Sequence, residues 1–390
     1  MHFIDTYLHE RRELDLYRQP VTYQPVDAAH VLLDNKPHLM LASNNYLGLT
    51  HHPQVKQAAV EAIERYGTGS GGSRLTTGSH PLYEVLEQDL AAFKGTEAAV
   101  VFNTGFMANV GAISALVGPG DVVFSDEYNH ASIIDGCRLS RAQTVVYRHA
   151  DMEHLQELLE TTPCQGHRLI VTDGVFSMDG DIAPLGTIVE LAERYTALVM
   201  VDDAHAMGVI GQGGRGTVSH FGLQGRVQVQ MGTLSKALAS EGGYIAGSRQ
   251  LISYLVNKAR SYIFSTAQAP ATIAAACAAI SVLSGNPELV HKLQANAAWM
   301  RHELTQAGLT VEGGGTPILP VMVGEAAVAI RMSRELREAG FIVSAIRPPT
   351  VPPGTSRLRL TVSAAHTQAE LVEAAEKIIA AGYRLGLVQE

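Results

Sequence analysis

Cysteine is scarce, with Cys137, Cys164 and Cys277 the only three in 390 residues. Their odd number and wide spacing exclude a disulfide framework and a CxxC metal cage, and such usage fits a reducing cytosol. Charge is scarce as well: 17% of the residues are Asp, Glu, Lys or Arg, the net charge is -9, and no basic block or stripe occurs. A nucleic-acid or anionic-membrane partner is therefore not expected. The longest apolar run, APATIAAACAAISVL, is Ala-rich and too short to span a bilayer, so it reads as a buried helix. The opening MHFIDTYLHERRELDLYRQP has the alternation of an amphipathic helix and lacks the continuous apolar stretch of a signal peptide. No internal repeat, low-complexity tract or GxxxxGK[ST] nucleotide loop is present. What is left is a chain for a small ligand, long enough for two domains.

What the sequence does contain is alternation of two patterns. Short apolar, β-rich runs stand near 98–102, 121–126, 144–147, 168–173, 197–203 and 227–233, separated by segments of helical spacing such as APLGTIVELAERYT. Several of these runs are continuously apolar, as strands covered on both faces must be. This predicts an α/β fold around a parallel or mixed sheet. Beyond residue 285 the pattern changes to a long helix, a glycine cluster, a helix over 326–339, the extended FIVSAIRPPTVPPGTSRLRLTVS and a closing helix. That order predicts a smaller α+β unit, with Pro348 to Pro353 as a loop before a strand.

Ligand-binding loops belong at the carboxyl ends of such strands. In FNTGFMANVG a strand gives way to Thr104-Gly105-Phe106 and then a helix, whose free N–H groups suit an anion; a plain strand-to-helix turn is the alternative. The glycine-rich GTGSGGSRLTTGSH is either a flexible linker or an ordered loop that brings Arg74 and hydroxyls near a ligand. In VMVDDAHAMG the strand ends on two aspartates, and a buried carboxylate calls for a cationic partner. Asp202, Asp203 and His205 include metal-ligating types, but nothing nearby completes a metal site, and none is expected. Lys236 stands among small and hydroxyl residues in MGTLSKALASEGGY. A lysine after a strand is ordinarily a solvated charge. Desolvated beside Asp202, its free amine becomes nucleophilic, which is the condition for an imine with an aldehyde.

In chain order, SNNYLGL, GTGSGGSRLTTGSH, NHASIIDG, DGVFSMDGDIAPL, VDDAHAMGVIGQGGRG, GTLSKALASEGGY, FSTAQAP and RLRLTVSAAH resemble the α-oxoamine synthases, fold-type I pyridoxal-phosphate enzymes. The resemblance covers nearly the whole chain. It implies an N-terminal segment over 1–45, a large cofactor-binding domain over 46–285 with a mostly parallel sheet, and a small α+β domain over 286–390. The implied cofactor is pyridoxal 5′-phosphate. The implied reaction is a decarboxylative condensation of an amino acid with an acyl-CoA or acyl-carrier-protein thioester, in the cytoplasm. AIRPPTVPPGTSRLRLT resembles the branch that joins L-alanine to a pimeloyl thioester in biotin synthesis, whereas the branch joining glycine to acetyl-CoA shares NHASIIDG and DGVFSMDG.

The same resemblance implies roles. Lys236 would hold the cofactor aldehyde as an imine and then move protons, and Asp202 would pair with the ring nitrogen. His130 would stack on the ring, with His205 and Ser177 at the ring oxygen. Thr104, Gly105, Phe106 and Thr233 would cradle the phosphate, joined by Ser265 and Thr266 from the other subunit of a homodimer. Asn44 and Arg359 would take the substrate carboxylate, Arg359 as a bidentate fork. Asp203 is left as a structural acid.

Overall fold

The computed structural model describes residues 2–13 and 16–388. Its strands, in chain order, are β1 (Gln24–Pro25), β2 (His30–Leu33), β3 (Lys36–Met40), β4 (Ala98–Phe102), β5 (Val122–Asp126), β6 (Gln143–Tyr147), β7 (Arg168–Asp173), β8 (Ala197–Asp202), β9 (Val229–Thr233), β10 (Gly243–Gly247), β11 (Ile318–Gly324), β12 (Phe341–Ile342), β13 (Ser344–Ile346) and β14 (Ser356–Thr361). The first five helices are α1 (His2–Glu13), α2 (Pro53–Tyr66), α3 (Pro81–Lys94), α4 (Gly105–Leu116) and α5 (Ala131–Ser140).

The central sheet has seven strands in the order β4-β10-β9-β8-β7-β5-β6. Strand β10 runs antiparallel to both neighbours and the remaining pairs are parallel. The continuous apolar runs have the expected cause, since successive residues serve opposite faces. Val123, Val171 and Met200 pack with residues of α4 and α5, while Phe124, Ile170 and Val199 pack on the other side with Leu155 and Ile188. Strand β10 is missing from the sequence reading because GYIAG is short and glycine-rich. Its Gly243 is required by close approach: a Cβ there would lie 2.6 Å from the Cα of Gly105.

Parallel packing brings the last residues of β4, β5, β7, β8 and β9 to one edge of the sheet: Phe102, Asp126, Asp173, Asp202 and Thr233. Asp173 and Asp202 are direct cross-strand partners. The Ala-rich run is helix Pro270–Gly285, packed against α2 and α3. Among the described residues no single helix is long and apolar enough to cross a membrane.

In the C-terminal unit, β11, β14 and β13 form an antiparallel sheet whose leucines and valines pack against helices Ala326–Glu338 and Gln368–Arg384. Alternation along RLRLT sends Leu358 and Leu360 into that core and leaves Arg357 and Arg359 to the opposite face. Strand β12 pairs in parallel with β3, so residues 24–40 are tied to this unit and not to the large sheet. Helix α1 buries none of its residues.

Candidate active site

Thr104, Gly105, Phe106, His130, Ser177, Asp202, His205, Thr233 and Lys236 line one cavity of about 230 Å³ at the carboxyl edge of the sheet. Thr104 caps α4 by accepting from the Met107 N–H at 3.1 Å, and the first N–H groups of the helix have no carbonyl partner within it. Gly105 is where the wall comes closest, since a Cβ there would meet Met231 at 3.0 Å. Thr233 lies across from it and donates its hydroxyl to the Gly242 carbonyl at 2.7 Å. This end of the cavity suits a phosphate.

The other end suits a protonated ring nitrogen. Asp202 accepts from the Ala204 N–H at 2.8 Å and from the Asn109 amide at 2.7 Å. Burial depresses the Lys236 ammonium below the usual lysine range, against the pull of Asp202 and Asp173. Burial, and then Asp202, push the Asp173 carboxyl well above the carboxylate range. His205 is driven well below the histidine range by burial, Lys236 and Arg359, and is neutral. A neutral imidazole, a poised amine and a carboxylate around one small cavity fit a pyridoxal phosphate.

Asn44 and Arg359 sit behind this cavity. The Arg359 guanidinium donates to the Ser177 carbonyl, to Thr361 Oγ1 at 3.1 Å and to Asn44 Oδ1 at 3.3 Å. The fully buried Tyr46 hydroxyl, pushed up to about 12 by burial, lies 2.6 Å from His205 Nδ1 and 3.3 Å from Asn44 Oδ1. Tyr46 thereby joins the Asn44–Arg359 pair to His205. Ser265 and Thr266 lie outside the cavity: Ser265 Oγ is 3.7 Å from Met107 Sδ, and the Thr266 carbonyl takes the Asn103 amide at 2.6 Å. Arg74 is not offered to a ligand. It makes a fork onto Glu87 at 2.9 and 3.2 Å and lies over the Tyr83 ring, so it anchors the glycine-rich loop.

Sequence reasoning passed over Asn109, Ser132, Asp173 and Tyr46. Asp173 carries the same signal as Asp202, an acid ending an apolar run in RLIVTDG. Asn109 and Tyr46 reach Asp202 and His205 across 93 and 159 positions, pairings that no local pattern announces.

Loop 174–182 positions Ser177 and is gripped from two sides. Arg357 pairs with Asp179, and Thr316 Oγ1 donates to the Gly180 carbonyl at 2.7 Å. From the large sheet, His149 bridges Asp126 and Asp181, both at 2.9 Å. Burial lowers the His149 pKa, but the two carboxylates outweigh it and raise the group to about 10. A raised folded value means that the stabilisation is complete below the unfolded histidine value, about 6.5, and is lost as pH climbs toward 10. His149→Gln is expected to cost on the order of 2 kcal/mol at about pH 6 and markedly less at about pH 9.5, read by urea unfolding at both values. An equal cost at both would refute the charged bridge.

A mostly parallel sheet whose carboxyl edge holds a half-buried lysine, a strand-end carboxylate and a capped helix N-terminus around one cavity is the architecture of fold-type I pyridoxal-phosphate enzymes. The chain belongs to the aminotransferase class I and II family, whose model matches residues 36–378, and within it to the α-oxoamine synthases. The 8-amino-7-oxononanoate synthase of Geobacter sulfurreducens is 51% identical over 384 residues, covering 98% of both chains. That of Lysinibacillus sphaericus is 48% identical over 384 residues, covering 97% of this chain and 99% of the relative. Among solved structures, SPT with a PLP internal aldimine is 34% identical, with a TM-score of 0.95 over 99% of each chain.

Proposed function

We propose that this protein is an 8-amino-7-oxononanoate synthase: it condenses L-alanine with a pimeloyl thioester, releasing carbon dioxide and the free thiol, as a step of biotin synthesis. Its cofactor is pyridoxal 5′-phosphate, which supplies an aldehyde for imine formation and a ring that takes up the electrons of the bond being broken. The observation that carries the reading is the half-buried Lys236, its ammonium depressed by desolvation, in one cavity with Asp202.

Each side chain then has a task. Lys236 would hold the cofactor by its aldehyde and would carry a proton to and from the substrate α-carbon. Asp202 would accept from the ring nitrogen and keep it protonated, and His130 would cover one ring face. His205 and Ser177 bind the ring oxygen, while Thr104, Gly105, Phe106 and Thr233 hold the phosphate at the α4 terminus. Asn44 and Arg359 take the amino-acid carboxylate. The active form in this reading is a cytoplasmic homodimer in which Ser265 and Thr266 reach the phosphate of the partner's site. The thioester comes from coenzyme A or from an acyl carrier protein.

The test is thiol release by the pyridoxal-loaded protein, comparing L-alanine plus pimeloyl-CoA with glycine plus acetyl-CoA. Faster release with the first pair supports the proposal, and preference for the second overturns it while keeping the cofactor site. Arg359 offers a further check. A lysine keeps the charge but loses the planar fork, so Arg359→Lys is expected to raise the KM for alanine by about tenfold or more. An unchanged KM for alanine would remove Arg359 from carboxylate binding.

A further inference from the structure

Along one wall of the cavity, four side chains from three elements form one line of hydrogen bonds. The amide nitrogen of Asn109, in the second turn of α4, donates to Asp202 Oδ2 at 2.7 Å and to Ser132 Oγ at 2.8 Å. Ser132 Oγ in turn lies 2.7 Å from His130 Nδ1. Asn109 is 1% exposed and Ser132 fully buried.

Donor chemistry gives this line a direction. An amide nitrogen can only donate, so Ser132 Oγ accepts from Asn109 and has its own hydrogen for His130. The backbone N–H of Ser132 points at the same Nδ1, at 3.2 Å. Nδ1 is thus the accepting nitrogen, and the neutral ring carries its proton on Nε2. Burial pushes the imidazole below the usual histidine range, as does Lys236, with Asp202 opposing, which agrees with a neutral ring. The Asn109 amide cannot be reversed, because its oxygen would then face the Asp202 carboxylate.

The helix has no structural need of this asparagine. Its buried neighbours Ala108, Ala112 and Ile113 are apolar, and Asn109 Oδ1 is buried without a hydrogen-bond partner. Such an orphan acceptor costs stability that an apolar residue would not lose.

We infer that Asn109 is a positioning residue shared by both halves of the cofactor site. One amide aims the carboxylate that meets the ring nitrogen and, through Ser132, sets the proton on the histidine that covers the ring. The inference rests on the reading of this cavity as the pyridoxal phosphate site.

Two measurements on the full-length protein test it. The first titrates cofactor-free protein with pyridoxal phosphate, followed by absorption. The second records the ¹⁵N-histidine spectrum of the cofactor-free protein, with His130 assigned by its loss in His130→Gln. Asn109→Ala is expected to weaken cofactor binding by about tenfold to a hundredfold and to move the His130 Nδ1 resonance. Ser132→Ala is expected to move that resonance while leaving cofactor affinity within about threefold, and Ser132→Thr, which keeps the hydroxyl, to restore it.

Wild-type affinity together with an unmoved His130 resonance in Asn109→Ala overturns the inference. So does a Ser132→Ala protein that loses as much affinity as Asn109→Ala. Should Asn109→Ala fail to fold, an unmoved His130 resonance in Ser132→Ala overturns it alone. Failure of the wild-type protein to bind pyridoxal phosphate would instead sink the cofactor reading, which the spectrum of the cofactor-free protein does not require.

Discussion

Replacing Lys236 by alanine is expected to abolish turnover, by at least about four orders of magnitude, while the protein stays folded and retains some pyridoxal phosphate. In the proposed reaction the size follows from two losses at one atom, since the same amine would hold the aldehyde and move the α-proton. Asp202, His130 and the α4 terminus stay in place, so binding is weakened and not erased. Asp202 keeps its hydrogen-bond donors Ala204 and Asn109, which hold the carboxylate in place after the lysine is gone. Thiol release and cofactor absorption on the same preparation decide the matter. Near-wild-type turnover would remove Lys236 from the chemistry, and with it the proposed reaction.

Lys94→Met should destabilise the fold by about 3–5 kcal/mol, the expected loss when one partner of a buried ion pair is removed. Lys94 at the end of α3 donates to Asp203 Oδ2 and to the Arg215 carbonyl, each at 2.6 Å, and neither side chain of the pair is exposed. Asp203 also accepts from the Thr217 hydroxyl at 2.6 Å. The pocket is built around this acid: a Cβ on Gly216 would lie 2.1 Å from Asp203 Oδ2, and Gly216 has a φ of 92° that favours glycine. The pair ties the loop following β8, which carries His205, to the helix preceding β4. Urea unfolding of the cofactor-free variant measures the cost, and the ¹⁵N-histidine spectrum shows whether His205 has moved. A loss below about 1 kcal/mol would mean that the charge is relieved by water or rearrangement.

Much of this molecule follows from local sequence. Continuous apolar runs identify strands with two covered faces, and those strands appear where the pattern places them. Thr104 before a glycine and an Ala-rich segment is a cap, because the hydroxyl has a free N–H three residues on. Lys236 among small and hydroxyl residues is legible as an amine set in a pocket, and the ordered motifs identify the family. Asp203 is also legible as a satisfied acid, although its partner is not.

Tertiary structure alone decided what those residues touch. Lys94 meets Asp203 across 109 positions, Tyr46 meets His205 across 159, and Asn109 meets Asp202 across 93. Each pairing is a short polar contact made by closing a long loop of chain, and no local propensity encodes which buried donor will face which acceptor. The same holds for β10, whose glycines are poor strand formers and which exists because two neighbouring strands supply its hydrogen bonds. It holds again for β3, which pairs with a strand some 300 residues later through Leu39 and Phe341. Sequence determined most of the elements and the family and singled out Lys236, since these depend on side-chain chemistry and on neighbours a few positions away. The relay behind the ring, the bridge under the loop and the ion pair behind His205 depend on distance in space, which only the folded chain sets.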